Sequence, residues 1–268
     1  MDGKGDFRVE GKGYDLSELM IVTASRMLRD GETVLVGIDL PNVAANLAKR
    51  MHAPRLCMIY ESGVVDASPP RLPLSIGDPM LVSRSVAVCS VFELFSYYLQ
   101  GSKVDVGFLG GAQVDRFGNI NSTVIGSYEA PKVRLGGSGG ACDIAALARR
   151  TIIIVRHSLR TLPERLDFLT SPGYLGGGNE RARYRYPGGG PLTVITDMGI
   201  LGFDQESKEM VLEAIYPGVT VEQVRANTGW DLKVKPDLVQ VEDPPPEYIA
   251  CLREMTGATA AARGRRSA

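Results

Sequence analysis

The sequence has few of the residues that build metal centres and disulfide frameworks. It contains two histidines and four cysteines in 268 residues. The cysteines are far apart and form no C-x-x-C pair; they are Cys57, Cys89, Cys142 and Cys251. Zinc sites and disulfide frameworks need such side chains in close, regular patterns. We therefore predict no metal site and four reduced cysteines.

The sequence also lacks an excess of charge of one sign and long hydrophobic runs. Its 30 lysines and arginines offset 31 aspartates and glutamates, so the formal net charge at pH 7 is -1. Nucleic-acid-binding proteins need a basic face, and a membrane-spanning helix needs roughly 20 consecutive apolar residues. The first residues carry no hydrophobic core of a signal peptide. We therefore predict a cytoplasmic protein with no nucleic-acid or membrane partner.

What the sequence does contain is an alternation of β-rich apolar runs and helical patterns. Residues 33–38, 55–60 and 104–109 are such runs, and amphipathic segments begin at Leu16 and Pro41. Strand–helix–strand units connect parallel strands. We predict an α/β fold with an open, mostly parallel sheet flanked by helices.

The predicted domain organisation follows from composition. We expect one domain over residues 14–256, with Asp15 as the N-cap of the first helix, a helix over 91–100 and a hairpin over 199–214. Residues 1–13 are rich in glycine and charge, and residues 257–268 in alanine, glycine and arginine. These compositions predict a flexible N-terminus and a disordered tail.

One carboxylate stands directly after the second apolar run. Glu61 follows this run and is itself followed by Ser62 and Gly63. Open α/β sheets bind ligands at the carboxyl ends of their strands, so Glu61 is a candidate nucleophile. A solvated loop carboxylate is the alternative that this stretch alone leaves open. The Pro-rich passage 68–79 that follows is a candidate cover over the site.

A glycine cluster at residues 136–140 precedes a predicted helix. Glycines let backbone N–H groups approach a ligand closely, although a tight turn explains the same pattern. The cluster matches neither the dinucleotide fingerprint nor a P-loop. It does match G-x-S-x-G, with Ser138 at its centre. However, the downstream histidine, His157, follows Asp143 too soon for the usual order of a serine hydrolase.

Four motifs occur together in one order along the chain. They are E-S-G at 61–63, G-G-A-Q-V-D-R-F-G-N-I-N-S-T at 110–123, G-S-G-G-A at 137–141 and T-S-P-G at 170–173. In this arrangement, the sequence resembles the β subunit of class I CoA-transferases over residues 16–230. Within that family, the likeness is to the β subunit of the glutaconate CoA-transferases.

The resemblance implies an enzyme that moves CoA from an acyl-CoA to a carboxylic acid. The acid would be a dicarboxylate such as glutaconate, or a short oxo acid, and the reaction would pass through a glutamyl-CoA thioester on Glu61. The resemblance further implies that oxyanion stabilisation and CoA binding involve Asn121, Ser138, Gly139 and Gly140. No cofactor is implied beyond coenzyme A itself, which is a substrate.

The resemblance also implies a partner, because the G-x-G-G-F oxyanion loop of the family's α subunit is missing from this sequence. We expect a separate α subunit in a heterodimer or heterotetramer. A CoA-thioester decarboxylase or hydrolase on the same fold, or a non-catalytic ligand-binding subunit, are the alternatives. Glu61 favours the transferase, and we interpret Cys57 as a small buried hydrophobe. Candidate contacts for a distal substrate carboxylate are Arg71, Arg181, Arg183 and Arg185.

Overall fold

The computed structural model describes residues 11–264, and the side chains of residues 11–257. The strands, numbered along the chain, are β1 (Thr33–Val36), β2 (Cys57–Ile59), β3 (Val64–Val65), β4 (Ala87–Val88), β5 (Val106–Leu109), β6 (Gln113–Val114), β7 (Ile120–Asn121), β8 (Val124–Gly126), β9 (Pro131–Arg134), β10 (Arg150–Ile154), β11 (Pro191–Ile195), β12 (Gly199–Phe203), β13 (Met210–Ile215) and β14 (Lys233–Gln240).

The α-helices are α1 (Leu16–Arg26), α2 (Leu40–Met51), α3 (Val91–Glu93), α4 (Ala141–Leu147), α5 (Glu180–Arg183), α6 (Val221–Ala226) and α7 (Pro246–Gly264). A 3₁₀ helix covers Pro79–Val82 and a π-helix covers Leu94–Leu99. In the part of the chain described, no helix has both the length and the apolar character that a bilayer span requires.

Ten strands form one mixed sheet in the order β14-β13-β12-β11-β10-β5-β1-β2-β3-β4. Neighbouring strands are parallel from β2 through β1, β5 and β10 to β11. Antiparallel pairs extend the sheet on both sides, through β3 and β4 and through β12 and β13. The pairs β6–β7 and β8–β9 form two small separate hairpins. The prediction of an open, mostly parallel α/β sheet is confirmed.

The central strands are buried on both faces, which explains their continuous apolar sequences. Val34 and Val36 of β1 belong to a core that contains the buried faces of α1, α2 and α7. Leu35, between them, belongs to the opposite core with Ile144 of α4. Alternate residues of a strand point to opposite faces, so one strand supplies both cores. Each fully buried side chain of this size contributes roughly 1.5–3 kcal/mol.

The predicted start of the first helix is confirmed by a capping box. The Asp15 side chain accepts a hydrogen bond from the Glu18 backbone N–H over 2.8 Å, and the Glu18 side chain accepts one from the Asp15 N–H over 3.0 Å. Two backbone donors that the helix cannot satisfy are therefore paired, an arrangement in which the cap contributes about 1 kcal/mol. The predicted hairpin over 199–214 is also present, as the antiparallel pair β12–β13.

One prediction about helices is refined by the structure, and one needs correction. The helix predicted over 91–100 is one turn of α-helix followed by a π-helix, Leu94–Leu99. The tail predicted to be disordered from residue 257 is helical as far as Gly264, because α7 continues through its alanines, the residues of highest helix propensity. Residues 1–10 of the predicted flexible N-terminus, and residues 265–268, lie outside the described residues. The single domain over 14–256 stays a prediction.

Candidate active site

A cleft of about 1160 Å³ opens at the carboxyl ends of the central parallel strands. It is bounded by the segments that follow β1, β2, β5 and β10, and by the glycine loop that precedes α4. Leu74, Ser75 and Ile76 of the Pro-rich passage also line it. The cleft therefore lies where open α/β sheets bind their ligands.

Glu61 occupies a tight hairpin turn between β2 and β3. The Gly63 N–H donates to the Tyr60 carbonyl over 2.9 Å, and the Tyr60 N–H donates to the Val64 carbonyl over 3.0 Å. The three-residue loop Glu61-Ser62-Gly63 closes with glycine at a φ of 91°, the arrangement in which such loops place glycine in the left-handed region. A Cβ at Gly63 would lie 1.9 Å from the Cys89 carbonyl oxygen. The glycine of E-S-G is therefore required by backbone geometry.

The Glu61 carboxylate lines the cleft and is half-buried. Its Oε2 accepts a hydrogen bond from the Gly140 backbone N–H over 3.3 Å. Loss of water around the side chain raises the pKa of Glu61, and the Gly140 hydrogen bond opposes that rise without cancelling it. A carboxylate with a raised pKa is more basic and less well solvated, and both properties increase its nucleophilicity.

The glycine loop packs closely against this carboxylate and against Phe95. Gly140 is in contact with Glu61 and with Phe95 of the π-helix: a Cβ added at position 140 would lie 2.3 Å from Phe95 Cζ and 3.2 Å from Glu61 Cδ. A Cβ at Gly139, where φ is 49°, would lie 3.4 Å from Glu61 Oε2. The glycines at 139 and 140 therefore let the main chain pack against the carboxylate.

Hydrogen bonds hold the glycine loop at both ends. At one end Ser122 and Gly137 exchange two bonds, because the Ser122 Oγ donates to the Gly137 carbonyl over 2.9 Å and the Gly137 N–H donates to the Ser122 carbonyl over 2.9 Å. At the other end the Ser138 Oγ accepts from the Cys142 N–H over 3.1 Å. Ser138 also lines the cleft. Sequence reasoning missed the supporting role of Ser122.

Ser138 and His157 do not form a hydrolase pair, although both line the cleft. The two ring nitrogens of His157 are each 3.0 Å from a threonine hydroxyl, Nδ1 from Thr196 and Nε2 from Thr228. Burial lowers the pKa of His157 to about 4, so the ring is neutral near pH 7. The histidine supports the loop after β10 and is not positioned to act as a base for Ser138.

The structure does not bring Asn121 into the cleft. Its side chain is fully buried, and its amide nitrogen donates to the Gln113 side chain and to the Val124 carbonyl, each over 2.7 Å. Its amide oxygen accepts the Thr123 N–H over 2.9 Å. Both amide hydrogens are used inside the protein, so the prediction of Asn121 as an oxyanion donor is corrected. Asn121 instead shapes the turn that leads to Ser122.

The long motifs at 110–123 and 170–173 pack against each other. The Asn119 side-chain oxygen accepts the Gly173 N–H over 2.7 Å, and the Ile120 N–H donates to the Ser171 carbonyl over 2.9 Å. The first motif begins at the cleft, where Gly110 and Gly111 line the wall. Most of its other residues do not line the cleft and pack behind that wall. These motifs therefore position the glycine loop.

The four arginines considered for a distal carboxylate lie outside the residues that line the cleft. Arg71 is paired with Asp78, with Nη1 2.8 Å from Oδ2. Arg181 is buried and donates to backbone carbonyls, including that of Gly173 over 2.8 Å. Arg183 and Arg185 are exposed. None of the four therefore lines the cleft that the described residues form.

Several cleft residues were missed by the sequence interpretation. The segment after β10 contributes Arg156, His157, Ser158 and Arg160, and Asp197 lies beside them. They could have been found by the rule that identified Glu61, because the apolar run 151–155 ends abruptly in Arg-His. Among the described residues, no group of three or more His, Cys, Asp or Glu side chains is arranged to hold a metal ion.

Comparisons with known proteins agree with this geometry. Residues 17–227 match the family model of coenzyme A transferases. The chain is 46% identical over 251 residues to the β subunit (B) of 3-oxoadipate CoA-transferase from Pseudomonas knackmussii, covering 94% of this chain and 96% of the relative. It is 41% identical to the corresponding subunit of glutaconate CoA-transferase from Acidaminococcus fermentans, covering 90% of this chain and 92% of the relative.

A solved structure shares the fold over nearly the whole chain. The crystal structure of glutaconate CoA-transferase from Acidaminococcus fermentans aligns with a TM-score of 0.83 and 39% identity, covering 91% of this chain and 95% of that chain. A family match over residues 17–227, together with relatives above 40% identity, is decisive. The chain belongs to the coenzyme A transferase family.

Proposed function

We propose that this chain is the β subunit of a CoA-transferase that moves CoA from an acyl-CoA to a carboxylic acid, with Glu61 as the nucleophile. The observation that carries the proposal is the Glu61 carboxylate, half-buried in the cleft and hydrogen-bonded by Gly140. The names of the relatives, 3-oxoadipate and glutaconate CoA-transferase, support a dicarboxylate as the acid.

The reaction proceeds by exchange at the Glu61 carboxylate. Glu61 attacks the thioester carbonyl of the acyl-CoA, and collapse of the tetrahedral intermediate expels CoA thiolate and leaves an acyl-glutamyl anhydride. The thiolate then attacks the glutamyl carbonyl, which releases the first carboxylate and forms a glutamyl-CoA thioester. An acceptor carboxylate reverses these steps and leaves as the new acyl-CoA. No cofactor is consumed, because CoA is itself a substrate.

The glycine loop supplies positioning and oxyanion stabilisation in this proposal. Each step develops an oxyanion, and a preorganised donor aimed at it stabilises the transition state by about 3–4 kcal/mol. The backbone N–H groups of Gly139 and Gly140 are our candidate donors, and Ser138 contacts CoA at the cleft wall. Holding a weak nucleophile close to its target contributes roughly 7–11 kcal/mol. The crowding of Glu61 against Gly140 and Phe95 supports such positioning.

A separate α subunit completes the site in this proposal. Both relatives above 40% identity are named as one subunit of a larger enzyme, and this chain has no G-x-G-G-F sequence. We propose that the α subunit carries that loop and covers the cleft in a heterodimer or heterotetramer. The isolated chain should then have no transferase activity. A cytoplasmic location belongs to the same proposal.

Trapping of the covalent intermediate tests the function directly. The chain is co-expressed with its α subunit, and the complex is incubated with acyl-CoA without acceptor, then reduced with borohydride and digested. We expect mass spectrometry to find the Glu61 carboxyl converted to an alcohol, and to find no such change in Glu61→Gln. Glu164→Gln is the matched control, because Glu164 is an exposed carboxylate outside the cleft.

Two results would contradict the proposal. Turnover of acyl-CoA without modification of Glu61 would indicate a decarboxylase or a hydrolase, which release carbon dioxide or free CoA without an acceptor. Cys57 is a poor substitute nucleophile, because burial raises the pKa of its thiol and the charge of Asp66 raises it further. Binding of acyl-CoA without turnover would indicate a non-catalytic ligand-binding subunit.

A further inference from the structure

The reaction proposed above leaves one substrate group unaccounted for. When a dicarboxylate is the acceptor, one carboxylate reacts at Glu61 and the other stays ionised inside the cleft. A carboxylate removed from water is costly unless a cation pairs with it. A transferase that acts on dicarboxylates therefore needs a cation in the cleft at some distance from Glu61.

Two arginines line the described cleft, and they differ in their partners. The Nη1 atom of Arg156 lies 3.2 Å from Oδ2 of Asp197 and donates a hydrogen bond to the Ser17 hydroxyl over 2.8 Å. Its charge is therefore already matched by the Asp197 carboxylate. Arg160 is exposed to the cleft and, within residues 11–264, forms no ion pair with Asp39, Glu61 or any other acidic side chain. Arg160 is thus the cleft cation whose charge the protein does not match.

Arg160 is presented by a rigid turn. The Ser158 carbonyl accepts the N–H groups of Thr161 over 3.0 Å and of Leu162 over 2.8 Å, and the Ser158 and Thr161 hydroxyls are 3.0 Å apart. The Thr161 carbonyl accepts the Val114 N–H over 2.7 Å, and Leu162 is fully buried. A backbone that is already ordered loses little entropy when its arginine binds a ligand.

The separation between the two sites suits a short diacid. Glu61 follows β2 and Arg160 follows β10, three strands away in the sheet, and three inter-strand spacings amount to roughly 14 Å. Both side chains line the same cleft. The carboxyl carbons of an extended five- or six-carbon diacid are about 5–6 Å apart, because each C–C bond measures about 1.5 Å. A diacid of this length is shorter than the three strand spacings and so leaves room for the two side chains that would contact its ends.

We propose that Arg160 binds the distal carboxylate of the acyl group and thereby selects short dicarboxylates over monocarboxylates. The guanidinium binds a carboxylate through two parallel hydrogen bonds, which fixes the far end of the substrate. The reacting carboxyl is then held at Glu61. This inference rests on the proposed transferase function and assigns its substrate class to a residue.

The test compares two acceptors with the purified αβ complex. Transfer from acetyl-CoA is measured with glutaconate and with crotonate, its monocarboxylate analogue, for wild type, Arg160→Gln, Arg160→Lys and Arg165→Gln. For Arg160→Gln we expect kcat/KM to fall about 10- to 100-fold with glutaconate and to change less than twofold with crotonate. Arg160→Lys should recover part of the loss. Arg165 is exposed, unpaired among the described residues and outside the cleft, so Arg165→Gln should match wild type.

The controls separate this inference from the function on which it rests. An equal loss with both acceptors, or a raised KM for acetyl-CoA alone, would assign Arg160 to CoA binding or subunit contact and overturn the proposal. Unchanged kinetics in Arg160→Gln would overturn it as well. Failure of the transferase function itself would be visible in the wild-type complex, as the absence of transfer to either acceptor and of any Glu61 adduct.

Discussion

The backbone N–H of Gly140 donates a hydrogen bond to Oε2 of Glu61 over 3.3 Å, and a Cβ added at position 140 would lie only 3.2 Å from the Glu61 carboxyl carbon. Glu61 and Gly140 are 79 residues apart in the chain, so the contact exists only in the folded protein. The nucleophile and the glycine loop therefore work as one unit. A substitution that displaces one of them should also displace the other. Substitutions at these two positions therefore test the site directly.

Gly140→Ala should lower transferase kcat/KM by roughly 10²-fold, the cost expected for displacing a reacting group by about 1 Å. The added Cβ would lie 2.3 Å from Phe95 Cζ and 3.2 Å from Glu61 Cδ, so Phe95 or the loop must shift and the Gly140–Glu61 contact is disturbed. Steady-state kinetics of the complex provide the measurement. Gly136→Ala is the matched control, because a Cβ there meets no atom within 4 Å. Full activity in Gly140→Ala would contradict the assigned packing.

Glu61→Gln should stabilise the protein at neutral pH while abolishing transfer. Burial raises the pKa of Glu61 above its ordinary value of 4.5, so the folded state holds the proton more tightly than the unfolded state. The resulting stabilisation is complete below pH 4.5 and is lost as the pH rises through the folded-state pKa. The thermal midpoint of the variant complex should exceed that of wild type at pH 7 and equal it near pH 4. A lower midpoint at pH 7 would show that the carboxylate is stabilising.

Asn121→Ala should destabilise the fold by about 2–3 kcal/mol, because it removes the two buried hydrogen bonds that the Asn121 amide donates to the Gln113 side chain and the Val124 carbonyl. Denaturant titration of the complex measures this loss. Asn227→Ala is the control, since its amide makes an exposed bond to the Gln223 carbonyl and should cost less than about 1 kcal/mol. Normal stability with a reduced kcat in Asn121→Ala would restore the oxyanion role that the structure argues against.

His157→Gln should make the protein less sensitive to acid. Burial lowers the pKa of His157 from 6.5 to about 4, so the unfolded state binds a proton that the folded state excludes. This contribution to stability is complete above pH 6.5 and is lost as the pH falls toward 4, with a total on the order of 3 kcal/mol. Thermal midpoints at pH 7 and 5 should differ less in His157→Gln than in wild type. Equal differences in His157→Gln and in wild type would contradict the prediction.

The sequence alone was sufficient for the features that depend on local patterns. Apolar runs identified the parallel strands, Asp15 identified the start of α1, and the rule for strand ends selected Glu61. Gly63 could also be interpreted locally, because its left-handed conformation is set by the hairpin turn in which it lies. The motif order was enough to indicate the family. These features are encoded within a few consecutive residues.

Only the tertiary structure decided which polar residues share the cleft. Asn121 and Arg160 are both polar residues near strand ends in the sequence, yet one is fully buried with its amide satisfied and the other lines the cleft with an unmatched charge. That difference arises from contacts between segments far apart in the chain, such as Gly140 with Glu61 and Ser122 with Gly137. A buried hydrogen-bond donor can act on a substrate only if no acceptor within the protein already pairs with it. Whether such an acceptor is present depends on all the neighbours that the fold brings to the donor.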